Sequence, residues 1–352
     1  MKKSIFTLAI MAATASCFAT VITVNNNVNS PGQYTSLQTA IDNANDGDSI
    51  YVHGSYTTYG SITVNKPGLT LIGTGYAPQK DIPLISTINA IIFDTIQFVS
   101  SGRNFKISGF NIVQGISSSV PGKVHNVKIE RCYFGNVVYV EGNNWLITNN
   151  LLIAISIQTY NSIIISNNIF RMQGVGVNSV SNSDKGTVII SNNIFMNSNT
   201  GYPALNAVSN AIIQNNVFFK SLATINCSNN SFNNNLSYLA SDNTLPPASN
   251  VGVNNYGAAN GTGIDPKFVF LPLSATDFSF THDYHLRSTA PISPGRNGGS
   301  DGTDIGIYGG SYPWVDMTGT PNIPQVKTFN VINPSVNAGT PINISVKAKK
   351  QN

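Results

Sequence analysis

Charged side chains are scarce in this sequence. Asp, Glu, Lys and Arg together make up 10% of the 352 residues, against about 25% in an ordinary soluble protein. Ile, Val and Phe are plentiful, which argues against intrinsic disorder. The 19 basic and 15 acidic residues form no basic stripe along the chain, so the sequence predicts no nucleic-acid partner.

Long apolar runs are also missing. The run Ile5–Ala13 is too short to cross a bilayer, and no later segment resembles a transmembrane helix. It follows Lys2 and Lys3 and precedes the small-residue stretch Ser16–Ala19, which is the pattern of an export signal. We predict that residues 1–19 are a signal peptide and that the protein is extracellular, periplasmic or on the outer surface of a Gram-negative bacterium. A lipid anchor at Cys17 is an open alternative.

What the sequence does contain is a repeat. The stretch IISNNIF occurs at Ile164–Phe170 and again at Ile189–Phe195. Seven related units lie 18–25 residues apart, beginning at Ile107, Ile129, Ile147, Ile165, Ile190, Ile213 and Phe232. A period near 20 that tolerates insertions indicates a solenoid. The units lack the Leu framework of leucine-rich repeats and the 3.6-residue period of helical repeats, and their β-branched runs favour strands. We predict a parallel β-helix with three short strands in each coil.

Five of the units carry an Asn-Asn pair. Coils of a β-helix stack ~4.8 Å apart, so equivalent positions lie above one another. A side-chain amide both donates and accepts, and Asn tolerates the left-handed backbone of a sharp corner. The pairs therefore predict a structural asparagine ladder made by Asn150, Asn168, Asn193, Asn216 and Asn235.

These repeats and asparagine pairs resemble the right-handed parallel β-helix of the pectate-lyase-like superfamily, from about residue 20 to residue 310. The resemblance implies an all-β, single-stranded fold secreted by bacteria. Because this fold hosts lyases, hydrolases, epimerases and proteins with no known reaction, it does not imply one activity.

The two ends of the chain depart from the repeat. In the segment 36–44, apolar residues share one helical face, which predicts a helix that covers the first coil. After Leu236 the repeat decays. We therefore predict a β-helix domain over 20–312 with a cap near 36–44 and a closing coil near 239–312, a linker over 313–325 and a C-terminal strand pair, a β-hairpin, over 326–352.

The repeat also separates the two cysteines that follow the predicted signal peptide. Cys132 lies in the ladder turn of its unit, and Cys227 lies in a strand about four coils later. Four coils correspond to roughly 19 Å, whereas a disulfide needs Cα atoms within ~7 Å of each other. We predict that Cys132 and Cys227 are free thiols.

The resemblance implies that a polysaccharide would lie along the exposed sheet that follows each Asn-Asn unit. A lyase of this fold would need acidic residues, often with bound calcium, to neutralise a uronate and a Lys or Arg as the base. The candidates for catalysis are Arg171, Asp184, Lys185 and Glu141, and those for stacking on sugar rings are Tyr139, Tyr160 and Tyr202. For each, a solvated loop or plain packing is the alternative interpretation.

Other motifs give no metal or cofactor. The stretch Asp42–Asp48 has Ala44 where a calcium loop needs its second ligand, so it is interpreted as a helix end. His282, Asp283 and His285 have no obvious fourth ligand for zinc. No cofactor is predicted, and calcium enters only if the protein is a lyase.

Two classes of function remain. The first is an extracellular β-helix that binds polysaccharide without a recognisable catalytic constellation, which the neutral polar composition favours. The second is a polysaccharide lyase, glycoside hydrolase or epimerase. A structural surface or adhesion element is a further alternative.

Overall fold

The computed structural model describes residues 19–78, 84–94, 104–119, 124–159, 162–171, 180–181, 187–197, 199–201, 203–258, 261–316, 324–333 and 335–350. Several predicted features lie outside these residues, namely residues 1–18 of the signal peptide and the site candidates Tyr160, Asp184, Lys185 and Tyr202.

The described residues wind through three parallel sheets, whose strands are numbered along the sequence. Sheet 1 has ten strands in the spatial order β1 (Val21–Val24), β2 (Ser49–Val52), β4 (Thr70–Ile72), β7 (Phe105–Ser108), β10 (Val127–Glu130), β13 (Trp145–Thr148), β16 (Ile163–Ser166), β19 (Val188–Ser191), β22 (Ile212–Gln214) and β25 (Ser231–Asn233). Sheet 2 has eight strands: β5 (Thr87–Ile88), β8 (Asn111–Ile112), β11 (Tyr133–Phe134), β14 (Leu151–Leu152), β17 (Ile169–Arg171), β20 (Ile194–Met196), β23 (Val217–Phe219) and β26 (Leu236–Tyr238).

Sheet 3 also has eight strands: β3 (Ile62–Val64), β6 (Ile91–Phe93), β9 (Ile116–Ser118), β12 (Val138–Glu141), β15 (Ile155–Thr159), β18 (Val180–Ser181), β21 (Pro203–Asn206) and β24 (Leu222–Ile225). A full coil contributes one strand to each sheet in turn. The predicted all-β parallel β-helix is confirmed.

Identical positions of successive coils stack inside the solenoid. Alternate residues of each short strand point inward, as the period of two requires. Phe170, Phe195 and Phe218 lie in register on sheet 2. Their rings stack face to face, with centroids 4.7 and 5.3 Å apart. The repeated phrase IISNNIF therefore recurs because each coil must match the side chains of its neighbours.

The second asparagine of each pair forms the predicted ladder between sheets 1 and 2. Asn168 donates its main-chain N–H (2.9 Å) and its side-chain Nδ2 (3.1 Å) to Oδ1 of Asn193. The same pair of bonds links the other rungs, Asn150, Asn193, Asn216 and Asn235, and continues to Asn255. All five predicted rungs are fully buried, so the ladder satisfies polar groups that water does not reach.

The first asparagine of each pair has a different task. It adopts a left-handed backbone, with φ between 55° and 58°, at Asn149, Asn167, Asn192, Asn215 and Asn234. Asn is one of the few residues that tolerates this region. The turn aims its side chain outward, where it meets residues 298–312, which we name the return segment.

The return segment runs back along the solenoid, from its last coils toward its middle. Its contacts follow the coils in reverse order: Asn234 Nδ2 to Gly298 O (2.8 Å), Ser300 N to Asn215 Oδ1 (2.9 Å), Asn192 Nδ2 to Gly306 O (3.2 Å), Asn167 Nδ2 to Ile307 O (2.8 Å) and Asn149 Nδ2 to Tyr312 O (2.9 Å). Residues 298–312, which belong to the segment predicted as a closing coil, thus fasten five successive turns from outside.

A second apolar core lies between the outer face of sheet 2 and the chain that follows it. Outward residues of sheet 2, such as Ile169, Ile194 and Val217, are fully buried there. They pack against Ile305 and Ile307 of the return segment, and against the antiparallel pair β27 (Phe268–Phe270) and β28 (Asp283–Leu286). The outer face of sheet 2 is therefore covered along these coils.

The N-terminal cap is a short helix, as the apolar pattern predicts. Helix α1 (Leu37–Asn43) begins after Ser36, whose Oγ accepts a bond from Thr39 N at 3.2 Å. Leu37, Ala40 and Ile41 are buried against the first strands. At the other end, Lys66 Nζ donates to three carbonyls, those of Ile41, Asp42 and Ala44. Such a cation satisfies carbonyls that a helix end leaves unpaired.

The C-terminal hairpin is also present. Strand β29 (Pro324–Val331) pairs antiparallel with β30 (Ile344–Lys350). Phe329 and Val346 face each other across it and are 59% and 52% exposed. The hairpin therefore presents apolar side chains to solvent.

Cys132 and Cys227 are free thiols, as predicted, and both are buried. Within the described part of the chain, no helix is long and apolar enough to cross a membrane.

Candidate functional site on sheet 3

One outward column of side chains runs the length of sheet 3. Its positions follow the strand register from coil to coil. Across eight strands the column is roughly 34 Å long. Its described side chains are those of Thr63, Ile92, Ser117, Tyr139, Ser156, Asn206 and Ile225. None of them is charged.

Tyr139 is the aromatic residue of this column. Strand β12 buries Val138 and Val140 in the core, and the alternation turns Tyr139 outward, where it is 40% exposed. Its neighbour in the next coil is Ser156, whose Oγ accepts a bond from Gln158 Nε2 at 2.7 Å. A ring beside a fixed hydroxyl and a side-chain amide can offer both an apolar face and hydrogen bonds to a sugar.

Asn206 supplies an unused acceptor. Its Oδ1 is buried but has no hydrogen-bond partner among the described residues. Buried polar atoms in native proteins are nearly always paired, so this oxygen is an acceptor that the described residues leave unused. The hydroxyl of a sugar has the required donor.

The structure separates the two described catalytic candidates. Glu141 ends β12 on sheet 3 and is only 8% exposed, and its main-chain carbonyl accepts a bond from Val124 N. Arg171 ends β17 on sheet 2 and is 3% exposed. The two residues therefore belong to different faces of the solenoid.

Arg171 is held by structural contacts. Its Cζ lies 4.2 Å from the centroid of the Tyr133 ring. Its Nη2 donates to Phe134 O at 3.3 Å, and its Nη1 lies 3.6 Å from Oδ2 of Asp277. Stacking and charge pairing of this kind fix a guanidinium within a packed interface. Arg171 thus binds the covering chain to sheet 2.

Asp283 and His285, two of the three residues considered above as zinc ligands, lie in a polar cluster near β28 with Tyr308 and Asp316, which no sequence pattern links to them. Asp283 Oδ1 accepts a bond from His285 at 2.7 Å, because residues two apart share one face of a strand. The His285 ring stacks on Tyr308, with centroids 3.6 Å apart, and Tyr308 donates to Asp316 at 2.8 Å. Burial and the neighbouring Asp316 carboxylate raise the pKa of Tyr308, so its hydroxyl stays protonated.

Metal ligands do not converge in the described part of the chain. No group of three or more His, Cys, Asp or Glu side chains there could hold an ion. His285 meets one carboxylate directly, that of Asp283, and a zinc site commonly has three or four protein ligands.

Comparison with known proteins assigns no family. Neither the protein-family models nor the curated proteins include a match for this chain. The parallel β-helix itself is compatible with roles that involve polysaccharides, and function in such folds is determined by the site rather than by the architecture.

Proposed function

We propose that this protein is an exported β-helix of the pectate-lyase-like kind that binds a neutral extracellular polysaccharide along the outer face of sheet 3. The observation that carries the proposal is the uncharged outward column of described side chains on that sheet, in which Tyr139 is exposed and the Oδ1 atom of Asn206 has no partner among the described residues. A long, uncharged strip of mostly polar side chains suits an extended neutral glycan, since none of its described side chains is a cation that would attract a uronate.

The proposal assigns no catalytic step. An enzyme of this fold would need groups that exchange a proton or neutralise a carboxylate at one place. Of the four catalytic candidates, Glu141 and Arg171 lie on different sheets and are both buried. Asp184 and Lys185 stay candidates for the lyase, hydrolase or epimerase alternative.

The test is a binding and activity assay on the full chain. Neutral polysaccharides and uronate polysaccharides are compared by calorimetry, while reducing ends and the ultraviolet absorbance of unsaturated uronates are followed in parallel. Binding to a neutral polymer without product is expected. Product from a uronate polymer would replace the proposal by the lyase alternative, and absence of binding to every polymer would leave a surface or adhesion element.

Tyr139→Ala is expected to weaken glycan binding by about two- to tenfold, because an aromatic face contributes on that scale. Tyr56→Ala is the matched control, since Tyr56 is 86% exposed but lies in the loop between β2 and β3. Equal effects of the two substitutions would show that sheet 3 is not the binding face.

A further inference from the structure

The three sheets do not end at the same coil. Beyond β25, sheet 1 continues through a bridge between Ser231 and Val251, and beyond β26, sheet 2 continues through a bridge between Leu236 and Tyr256. The fit is close, since a Cβ on Gly252 would lie 1.6 Å from Phe232 O. On sheet 3, no described residue pairs with the outer edge of β24. One strand position is therefore vacant in the last coil.

The vacant position is a cleft rather than open solvent. It has a volume of about 570 Å³ and lies between β24 and the segment 241–249, which is within the size range of ligand pockets. Leu222, Ile225, Pro247 and Ala248 contribute apolar walls. Asp242 is the charged residue among the described ones that line it.

The edge of β24 offers main-chain hydrogen bonds to this cleft. The carbonyl of Ile225 accepts a bond from Ala207 N at 3.1 Å, so it points toward β21. Successive residues of a strand direct their N–H and C=O groups to opposite edges. The N–H and C=O of Thr224 therefore point into the cleft, and such a row is a template for another strand.

The C-terminal hairpin supplies a strand with a free edge, since the described residues that pair with β30 are all in β29. A two-stranded hairpin is marginally stable by itself. Strand β29 carries a bulge between Val326 and Thr328, which twists its free edge away from pairing. Strand β30 has no such bulge, and Ile344, Val346 and Lys347 are exposed on it.

Charge favours the cleft beside β24 over a second β30 strand as the partner of β30. The segment 324–350 contains four lysines, Lys327, Lys347, Lys349 and Lys350, and no acidic residue. Two β30 edges would repel each other, whereas the carboxylate of Asp242 attracts them.

We propose that β30 of one copy adds to the edge of β24 in a second copy and fills the vacant strand position of sheet 3. Each copy offers one strand and one cleft, so the interface is heterologous. Main-chain bonds to Thr224 supply the pairing, and the carboxylate of Asp242 attracts the positive charge that Lys347 carries on β30.

The first experiment measures the mass of the full chain by light scattering over a range of concentrations. Association is expected in the unaltered protein and is lost in Thr224→Pro, which removes the N–H that points into the cleft but leaves the pairing with β21. It is also lost in a β30 variant carrying Val346→Pro and Lys347→Pro. Asp242→Asn is expected to weaken association by up to about fivefold, since an exposed ion pair contributes that much at most.

A complementation experiment separates pairing from misfolding. The β30 variant keeps the cleft and Thr224→Pro keeps the strand, so a mixture of the two should form a one-to-one complex that grows no further. A monomer at every concentration, or association that Thr224→Pro leaves unchanged, would overturn the proposal. Association that only Phe329→Gln abolishes would also overturn it, because it would place the contact on the apolar face of the hairpin.

Discussion

The side-chain amide of Asn167 donates to the carbonyl of Ile307 at 2.8 Å, across 140 residues of sequence. Its neighbour Asn168 points the other way and donates to Asn193 inside the solenoid at 3.1 Å. One residue type thus performs two tasks at adjacent positions. The inner asparagine joins coil to coil, and the outer asparagine joins the coils to the return segment.

The contact between the outer asparagine and the return segment can be removed without changing the inner ladder. Asn167→Gly keeps the left-handed backbone, because glycine adopts positive φ without strain. It deletes the bonds to Ile307 and Gly309. We expect faster amide hydrogen exchange in the return segment and little change in the inner ladder.

Asn210→Gly is the control for this substitution. Asn210 has φ 58° and an exposed side chain. Asn210→Gly therefore frees a left-handed backbone position, as Asn167→Gly does, but removes no contact with the return segment. If both variants accelerate exchange in the return segment equally, the asparagine contacts do not hold it.

The inner task is predicted to matter more for stability. Asn193→Leu removes the acceptor of two buried bonds from Asn168 and the donor to Ile165 O. Leaving buried groups unpaired costs about 1–3 kcal/mol. Urea unfolding should show this loss in the free energy of unfolding, and an unchanged midpoint would contradict the ladder.

The inner ladder could be predicted from the sequence and the outer contacts could not. Every coil reuses Asn168 and its equivalents against an identical neighbour, so the period itself reveals the contact. Asn167 donates to main-chain carbonyls of Ile307 and Gly309. Every residue type has a main-chain carbonyl, so the sequence does not reveal which residues accept these bonds. A second, shorter ladder from Asn230 to Asn250 was missed because it spans too few coils to form a repeat.

The buried thiol of Cys132 is expected to lower the free energy of unfolding at alkaline pH. It occupies a ladder position and is fully buried, which raises the pKa of its thiol from about 9 to about 12. Above pH 9 the unfolded thiol loses its proton while the folded thiol keeps it. Stability therefore falls as pH rises, by about 1.4 kcal/mol per pH unit until pH 12.

The effect of the thiol is measured by comparison with Cys132→Ala, since the buried tyrosines that also titrate in this pH range are present in both proteins. Unfolding free energies are measured from pH 7 to pH 12. The variant should lose less stability than the unaltered chain above pH 9 and follow the same slope below it. Parallel curves throughout would mean that the thiol ionises in the folded protein.

Arg171 is predicted to act on stability. Arg171→Ala deletes the contact with Tyr133 and leaves the carbonyl of Phe134 unpaired, which should cost roughly 2 kcal/mol. The exposed Arg287 is a control whose replacement by Ala should cost less than about 0.5 kcal/mol. Glycan binding to sheet 3 should be unchanged in both, and a loss of binding only in Arg171→Ala would favour a functional role.

The candidate site was only partly predictable for a similar reason. The uncharged strands of sheet 3 and the exposure of Tyr139 follow from alternation along a strand. The burial of Arg171 depends on Asp277, which reaches it only because the chain after β26 folds back over sheet 2. Such long-range covering has no periodic signal in the sequence.

The return segment also fixes the number of coils. Solenoids ordinarily change length by gaining or losing whole coils, since each coil contacts only its neighbours. Here the contacts from Gly298 to Tyr312 count five consecutive turns, from Asn234 back to Asn149. An added or deleted coil between them would shift the asparagines on one side of the change by one coil, so they would no longer face their partners in the return segment. Evolution of this protein is therefore expected to vary its loops freely while the number of these turns stays constant.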